Sequence, residues 1–193
     1  PDLVAIINYV VQITVLKEFK LMSQSKFVPL KVSVLCISDT RTIENDISGN
    51  LLANKIADAG HILLNRALCP DSIYAIRAIV SNWIADKECQ VIITTGGTGV
   101  TGRDGTPEAI QPLFDKTLDG FGEIFRYLSF SEIKTSSLQS RASAGVANST
   151  YIFVLPGSKN ACKLAWEEII SYQLDIMTRP CNRAQLIDRL DEK

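Results

Sequence analysis

Glycines are concentrated in the stretch GGTGVTGRDGTP, which follows the apolar run VIITT. Its first four residues are Gly96, Gly97, Thr98 and Gly99. Glycines at this density let the backbone turn sharply and present its N–H groups to phosphate oxygens. Arg103 and Asp104 follow, and an arginine fork binds phosphate while a carboxylate can hold the Mg²⁺ that accompanies it. The stretch predicts an anion-binding loop, with an ordinary tight turn and a solvated Arg-Asp pair as the alternative.

The segment GTGVTG, residues 97–102, also matches the G-x-G-x-x-G spacing of dinucleotide-binding proteins. In those proteins a helix begins within the glycines, and an acidic residue about 20 positions on, at the end of the next strand, binds the ribose. Here the first helix start is Thr106, an N-cap before Pro107, and the acidic residues further on lie in a helical pattern. No Gly-Lys-Ser/Thr follows, which excludes a Walker A loop. The glycines therefore indicate an anion-binding loop of another kind.

Three further turns carry side chains that packing alone does not require. Asp71 in CPDS either caps a helix or pairs with Asp104, and two such carboxylates suit metal binding or general-base work in phosphoryl transfer. The opposite wall of the predicted site consists of Asp39, Asp46, Ser48 and Gly49. For Ser48 the alternative is a role as a helix cap without ligand contact. The last wall consists of Pro156, Gly157 and Ser158. It can offer N–H donors and a hydroxyl to a second anion, and the alternative is a plain strand-to-helix turn.

Hydrophobic periodicity shows which elements position these turns. Apolar runs rich in β-branched residues are typical of buried parallel strands, and they stand at 31–38, 61–68, 89–95 and 150–156. Helical spacing covers 48–60, 71–87, 106–116, 119–133 and 158–174. Ser48 is the predicted cap of the first helix, and Asp71 or Ser72 that of the second. The alternation predicts a three-layer α/β fold with a mostly parallel sheet, and ligands bind such sheets beyond the carboxyl ends of the strands.

Composition excludes several other classes of protein. At 193 residues with 46% apolar and 21% charged residues, the chain is expected to form one globular domain. A net charge of −1 gives no reason to expect a nucleic acid partner. His61 is the one histidine, so neither a zinc site nor a Ser-His-Asp triad is expected and a structural role is predicted. The five cysteines show no C-x-x-C spacing, which predicts buried free thiols in a reducing cytoplasm.

The run LVAIINYVVQITVL at residues 3–16 is almost wholly apolar. It is shorter than the roughly 20 residues of a spanning helix and has no basic leader, so no membrane association is expected. Met22 precedes the regular pattern, and two interpretations remain: residues 1–21 are an added extension that precedes the natural start, or they form a terminal element that packs on the core. The predicted division is an N-terminal extension at 1–30, a domain at 31–182 and a tail at 183–193.

Six segments, in this order, resemble the MoaB/Mog family of molybdenum cofactor biosynthesis, whose relatives include the G domain of gephyrin. They are ISD, DISG, CPD, TTGGTGVTGRDGTPEA, LQSRASAG and LPGSKN. The resemblance covers residues 31–182, and its most specific part is the block from GGTG to TPEA. The segments FGEIFRYLSFSEI and TRPCN are similar to the MoaB branch in particular.

The resemblance implies a molybdopterin-binding fold and, in active members, Mg²⁺- and ATP-dependent adenylylation of molybdopterin with release of pyrophosphate. Asp71 and Asp104 correspond to the family's functional acids, with Mg²⁺ expected on Asp104, while Gly96–Gly99 and Ser158 correspond to its phosphate- and pterin-contacting loops. The residues expected to bind the pterin are those of the two walls, Asp39, Asp46, Ser48, Gly49, Pro156, Gly157 and Ser158. It also implies a homo-oligomer, a trimer or a hexamer. The aromatic segment DGFGEIFRYLSF agrees with that expectation, because it offers more apolar surface than one helix face buries in a monomer.

The chain departs from the family's catalytic pattern at one position. Mog-type members usually read R-D-V-T-P, and Gly105 in place of valine predicts a looser loop around Asp104. Some members of the MoaB branch have lost these acids, whereas this chain retains Asp71, Arg103 and Asp104, which favours activity. The alternative is a non-catalytic molybdopterin-binding or carrier protein of the same fold.

Overall fold

The computed structural model describes residues 27–178, 182, 184–186 and 189–190. The apolar run at 3–16, the start at Met22 and the fifth cysteine, Cys181, lie outside these described residues. None of the helices within the described ranges is long and apolar enough to cross a membrane.

Six strands form one sheet in the order β2-β1-β3-β6-β5-β4. They are β1 Lys31–Ile37, β2 Ile62–Cys69, β3 Val91–Thr95, β4 Lys116–Thr117, β5 Ser143–Ala147 and β6 Thr150–Leu155. The four strands of the predicted apolar runs pair in parallel, β1 with β2 and β3, and β3 with β6. Strand β5 is antiparallel to β6 and to β4. The predicted mostly parallel sheet is confirmed, but β4 and β5 were not predicted, because one is two residues long and the other, SAGVA, is dominated by small residues.

In the described part of the chain, six α-helices connect or flank these strands. They are α1 Ile47–Asp58, α2 Ile73–Ala85, α3 Thr106–Ile110, α4 Asp119–Ile133, α5 Lys159–Ala165 and α6 Ser171–Leu174. A π-helical turn, Trp166–Ile170, joins α5 to α6, so the predicted helix at 158–174 is present with one widened turn. Single 3₁₀ segments follow α3 and α4, at Gln111–Leu113 and Lys134–Gln139.

Two apolar cores, one on each face of the sheet, give the three-layer arrangement. On one face Leu52 of α1 and Phe125 of α4 pack with Ile93 of β3 and with the chain after α5. On the other face Ile76 of α2 packs with Ile110 of α3 and with the alternate residues of the strands. Because both faces are covered, the parallel strands are apolar at nearly every position, which is the pattern from which they were predicted.

Two predicted helix caps are wrong. Asp46, not Ser48, caps α1, because the Asp46 carboxylate accepts the amide N–H of Gly49 at 2.9 Å. Gly105 occupies the cap position of α3, and Thr106 is the first helical residue, with no cap bond from its side chain. Thr106 is the first and Ser48 the second residue of its helix, so neither hydroxyl serves as a cap and both are available for contacts outside the helix.

Residues on both sides of the predicted domain limits pack with the domain. Leu30 is buried, its carbonyl accepts the N–H of Ile62, and its own N–H is donated to Nδ1 of His61 at 3.2 Å. Near the other end, the N–H of Ala184 is donated to the carbonyl of Gln173, and Ala184 packs against the core. The contacts of these residues therefore join them to the folded unit.

The cysteines and the histidine occupy the predicted kinds of position. The four described cysteines are buried free thiols, and burial raises the pKa of each to about 11 or 12, so they are protonated at neutral pH. His61 is buried between Phe27 and Trp166, and desolvation lowers its pKa. These side chains have packing roles away from solvent.

Candidate functional site

A cavity of about 720 Å³ lies beyond the carboxyl ends of β1, β3 and β6. Its walls come from the turns after these three strands and from α4 with the 3₁₀ segment that follows it. The strand order reverses between β1 and β3, and a crevice at such a switch point is where ligands bind in open α/β sheets. Three of the four turns expected to converge line the cavity, the turn after β2 does not, and α4 is an additional wall.

The glycine-rich loop forms the floor of this cavity with Gly96, Gly97, Thr98 and Gly99. Gly96 and Gly97 have φ values of 109° and 60°, a region that side chains rarely tolerate. A Cβ atom on Gly97 would lie 2.6 Å from Oδ2 of Asp71 and would also overlap the hydroxyl of Thr106. The loop thus brings bare backbone against the partly buried Asp71 and the buried Thr106, a close approach that needs glycine.

Asp71 lies behind the glycine loop and does not cap α2. Its Oδ1 accepts the N–H of Gly105 at 3.1 Å, and Ser72 occupies the cap position without a side-chain bond. Desolvation raises the pKa of the Asp71 carboxyl, and the nearby charge of Asp104 acts in the same direction. Of the two readings of Asp71 that the sequence left open, the helix-cap reading is wrong, and its carboxylate is aimed at the loop that carries Asp104.

Asp104 lines the cavity and has the opposite electrostatic environment. It accepts hydrogen bonds from the hydroxyl and the amide of Thr101, and the first of these lowers its pKa most. A Cβ atom on Gly99 would lie 2.6 Å from Oδ2 of Asp104, so the carboxylate sits directly against the glycine loop. Two neighbouring carboxyls with pKa values shifted in opposite directions suit one ionised and one proton-accepting role.

Arg103 is engaged outside the cavity. Its guanidinium forms an ion pair with Asp39, whose pKa is lowered chiefly by that contact, and Asp39 also accepts the N–H of Asp71 at 3.0 Å. The Arg103 side chain is 76% exposed, so solvent surrounds most of it. Among the residues predicted for phosphate binding, the glycines and Thr98 line the cavity, whereas Arg103 lies at its outer rim.

Arg141 is a further residue of the site that sequence reasoning did not single out. From the turn before β5, its guanidinium donates to the carbonyl of Thr98 at 3.1 Å and to the carbonyl of Asp104 at 2.9 Å. It also forms an ion pair with Glu108 of α3. One side chain thus ties both ends of the segment from Thr98 to Asp104. An arginine inside the segment LQSRASAG was the available signal.

Of the residues predicted to bind the pterin, some line the cavity and others lie behind the lining. Pro156, Gly157 and Ser158 line the cavity. Ser48 lies behind them and donates its hydroxyl to the carbonyl of Gly157 at 2.9 Å. Ser158 accepts the N–H of Ala161 at 3.2 Å and so caps α5. The predicted residues after β1 and after β6 are therefore joined, although only the second group faces the cavity.

Asp46 and Gly49 are placed differently from the prediction that they contact a ligand. The Asp46 side chain is 1% exposed, caps α1 and forms ion pairs with Arg41 and Arg66. A Cβ atom on Gly49 would lie 2.8 Å from Cγ of Asp46, so this glycine makes room for the capping carboxylate. Both residues are structural supports beneath the wall, because their atoms are enclosed by the first turn of α1.

The carboxylate and hydroxyl oxygens near the glycine-rich loop decide whether the site fits Mg²⁺. Within the described part of the chain, no group of three or more His, Cys, Asp or Glu side chains could enclose a metal ion. Mg²⁺ does not need such a cage, since one or two carboxylates and the substrate phosphates hold it in many enzymes. Asp104 with Asp71 behind it fits that requirement. The Thr106 hydroxyl, buried without a partner in the described structure, adds an oxygen near Asp71.

These features define the class: a three-layer α/β protein with its ligand cavity at the carboxyl edge of a mostly parallel sheet. Within that class, the chain belongs to the family described as "Probable molybdopterin binding domain", whose model matches residues 33–175. The match includes every residue of the glycine-rich loop and both carboxylates.

Individual relatives agree with this membership. The molybdenum cofactor biosynthesis protein B of Escherichia coli (strain K12) is 53% identical over 163 residues, which cover 83% of this chain and 96% of that protein. A crystal structure of a molybdenum cofactor biosynthesis protein B matches with a TM-score of 0.79 and 34% identity, covering 88% and 100% of the two chains. The tungsten cofactor synthesizing protein MoaB from Pyrococcus furiosus matches with a TM-score of 0.66 and 35% identity, covering 73% and 90%. The resemblance to the MoaB/Mog family is confirmed.

Proposed function

We propose that this protein binds molybdopterin and adenylylates it with Mg-ATP, releasing pyrophosphate. Its family and its 53% identical relative support a role in molybdenum cofactor biosynthesis. The chemistry within that role is a proposal from the site. The observation that carries it is the pairing of Asp71 and Asp104 across the glycine-rich loop, with pKa values shifted in opposite directions.

The proposed reaction joins two phosphates. A terminal phosphate oxygen of molybdopterin forms a bond to the α-phosphorus of ATP, and the bond from that phosphorus to the bridging oxygen breaks, so that pyrophosphate leaves. The N–H groups of the glycine loop hold phosphate oxygens, which is the use that its close backbone approach suits. Such chemistry depends on positioning and on electrostatic stabilisation more than on covalent participation of the protein.

The two carboxylates have different proposed roles. Asp104, with its lowered pKa, stays ionised and is the proposed ligand of Mg²⁺, which supplies positive charge next to the reacting phosphates. Asp71 lies behind the glycine loop, where desolvation raises its pKa and its Oδ1 accepts the N–H of Gly105, so its proposed role is to position the loop that carries Asp104. Arg103 is free to leave Asp39 for a phosphate, because its side chain is largely exposed.

A second candidate function is a non-catalytic molybdopterin-binding or carrier protein. The observation that favours it is the position of Asp71 and Arg103, neither of which lines the cavity. A carrier would need the wall after β6 and the glycine loop but would not need a carboxylate pair. The two candidates therefore differ in turnover and agree in binding.

The test is incubation of the protein with molybdopterin and Mg-ATP, followed by detection of adenylylated molybdopterin and of pyrophosphate. The adenylyltransferase proposal expects both products in equal amounts from the unmodified protein and their loss in Asp104→Asn. If the protein binds molybdopterin tightly but forms no product, and Asp104→Asn does not change the binding, the adenylyltransferase proposal is wrong and the carrier function takes its place.

A further inference from the structure

Among the described residues that line the cavity, Arg41 is the only lysine or arginine. The sequence assigned phosphate binding to Arg103, which the structure places at the outer rim in an ion pair with Asp39. Arg41 stands instead in the turn after β1, on the side of the cavity formed by Gly157. The lining itself therefore offers an anionic ligand one full positive charge, the guanidinium of Arg41.

The Arg41 guanidinium retains capacity for a ligand. Its hydrogen-bond and ion-pair distances are 3.4 Å to the Ser48 hydroxyl, 3.5 Å to the Gly157 carbonyl and 3.5 Å to Oδ1 of Asp46, and it also interacts with the Cys36 thiol. These distances exceed the ordinary range of about 2.7–3.2 Å for N–H···O hydrogen bonds, so none of the three uses an N–H group fully. The side chain is 36% exposed, and a guanidinium carries five N–H donors. Arg41 is thus anchored in place but incompletely bonded.

Asp46 does not depend on Arg41 for its charge balance. Its Oδ1 accepts the N–H of Gly49 at 2.9 Å, and its Oδ2 lies 3.4 Å from Arg66. Arg66 pairs with the same carboxylate but does not line the cavity, and its side chain is 20% exposed. If Arg41 served only to neutralise Asp46, the two arginines would be equivalent. They are not equivalent, because Arg41 faces the cavity whereas Arg66 supports Asp46 without lining it.

The backbone holds Arg41 in this position. The hydroxyl of Ser38, the first residue after β1, accepts the N–H groups of Thr40 and Arg41, both at 3.2 Å. All three residues line the cavity. The turn therefore presents Arg41 from a fixed base, which lowers the entropy lost when the side chain binds a ligand.

We propose that Arg41 binds a phosphate oxygen of the ligand in this cavity. The inference rests on the proposed function for the identity of the ligand, and two phosphate sources share the chemistry: the phosphomonoester of molybdopterin and the phosphates of ATP. Arg41 is a binding residue in this account, and it donates charge-assisted hydrogen bonds without joining proton transfer.

The experiment compares the intact protein with Arg41→Gln, Arg41→Lys and Arg66→Gln by calorimetric titration with three probes. The probes are molybdopterin, Mg-ATP and inorganic pyrophosphate. We expect Arg41→Gln to weaken the affinity for at least one of them about tenfold or more, as the loss of a hydrogen bond from a charged group requires. The probe that loses affinity identifies the source of the phosphate. Arg41→Lys should retain part of the affinity, and Arg66→Gln should bind all three like the intact protein.

Two controls keep this result separate from folding and from the proposed function. Thermal unfolding of each variant shows whether it is folded, and dephosphorylated molybdopterin should bind equally well to the intact protein and to Arg41→Gln. If pyrophosphate binding depends on Arg41 while molybdopterin does not bind at all, the proposed function fails and the role of Arg41 stands. The inference is overturned if none of the probes binds, if Arg41→Gln binds all three like the intact protein, or if Arg66→Gln loses as much as Arg41→Gln.

Discussion

The amide nitrogen of Gly105 lies 3.1 Å from Oδ1 of Asp71, so the turn after β2 is joined to the loop that carries Asp104. Gly105 has a φ of −118°, which residues other than glycine adopt readily. A Cβ atom there would lie 2.9 Å from Cγ1 of Ile73. The glycine thus avoids crowding against α2, and its hydrogen bond to Asp71 restrains the loop at the position where the sequence predicts loosening.

The first prediction concerns the two carboxylates. Asp104→Asn should lower the rate of adenylylation by about a hundredfold or more, because electrostatic stabilisation of this kind is worth on the order of 3 kcal/mol in comparable sites. Asp71→Asn should act in the same direction. In the double variant, the loss of transition-state stabilisation should be smaller than the sum of the losses in the two single variants, because both carboxylates serve the same metal-phosphate group. Single-turnover product formation measures the rates, and unchanged molybdopterin affinity in all three variants is the control.

The second prediction uses two glycines of the same loop. Gly97→Ala should destabilise the fold by on the order of 1–3 kcal/mol and weaken ligand binding, because φ is 60° and the methyl group would overlap Asp71 and Thr106. Gly102 has no atom within 4 Å of its Cβ position. Gly102→Ala should therefore melt and bind like the intact protein. Equal effects of the two substitutions in thermal unfolding would contradict the argument from close approach.

The third prediction concerns Arg141 as a positioning residue. Arg141→Lys keeps the charge but cannot reach both the Thr98 and the Asp104 carbonyls, so we expect kcat to fall about tenfold with a smaller change in the KM for ATP. Arg77→Lys is the matched control, because Arg77 also bonds two carbonyls, those of Glu108 and Ala109, outside the segment from Thr98 to Asp104. Steady-state kinetics on both variants, with melting temperatures alongside, distinguishes loop positioning from general stability. A matching loss of kcat in Arg77→Lys would argue against the assignment.

The fourth prediction concerns pH and His61. Burial lowers the pKa of His61 below its ordinary value of 6.5, so the unfolded chain binds a proton more readily than the folded one. The stability that the neutral ring provides is therefore complete above about pH 6.5 and is lost as the pH falls towards the lowered folded value. Protonation also removes the Nδ1 acceptor of the Leu30 N–H.

Urea unfolding at pH 7.5 and at about pH 5.5 measures this effect in the intact protein and in His61→Gln. The variant cannot titrate, so its stability should change less between the two pH values. Because the chain has one histidine, no second imidazole contributes to the difference. An equal change in both proteins would show that His61 is not the group responsible.

The fifth prediction concerns assembly. Helix α4 and the 3₁₀ segment after it expose large apolar side chains, namely Ile124, Tyr127, Phe130, Ile133 and Leu138. Clusters of this kind mark interaction surfaces, and the family resemblance predicts a homo-oligomer, a trimer or a hexamer. Light scattering at micromolar concentration should give a multiple of the monomer mass, and Tyr127→Glu should lower it. Tyr74 is similarly exposed on α2, so Tyr74→Glu is the control that should leave the mass unchanged.

The sequence by itself determined the layers, the parallel core of the sheet and the glycine-rich loop. Runs such as VIITT form strands that are buried on both faces, and such strands are recognisable because their apolar residues are consecutive. Gly96 and Gly97 were identifiable because the backbone conformation they adopt leaves almost no other choice of residue. These features are local, so the residues that produce them stand next to one another in the chain.

Only the tertiary structure decided which polar side chains face the cavity. Asp71 and Asp46 both stand beside helix starts, yet one reaches the Gly105 loop and the other is the enclosed cap of α1. Arg41 lines the cavity while Arg103 pairs with Asp39 at the rim, although both are arginines in polar turns. The direction of a long or charged side chain is set by partners from distant segments, and no sequence spacing specifies those partners.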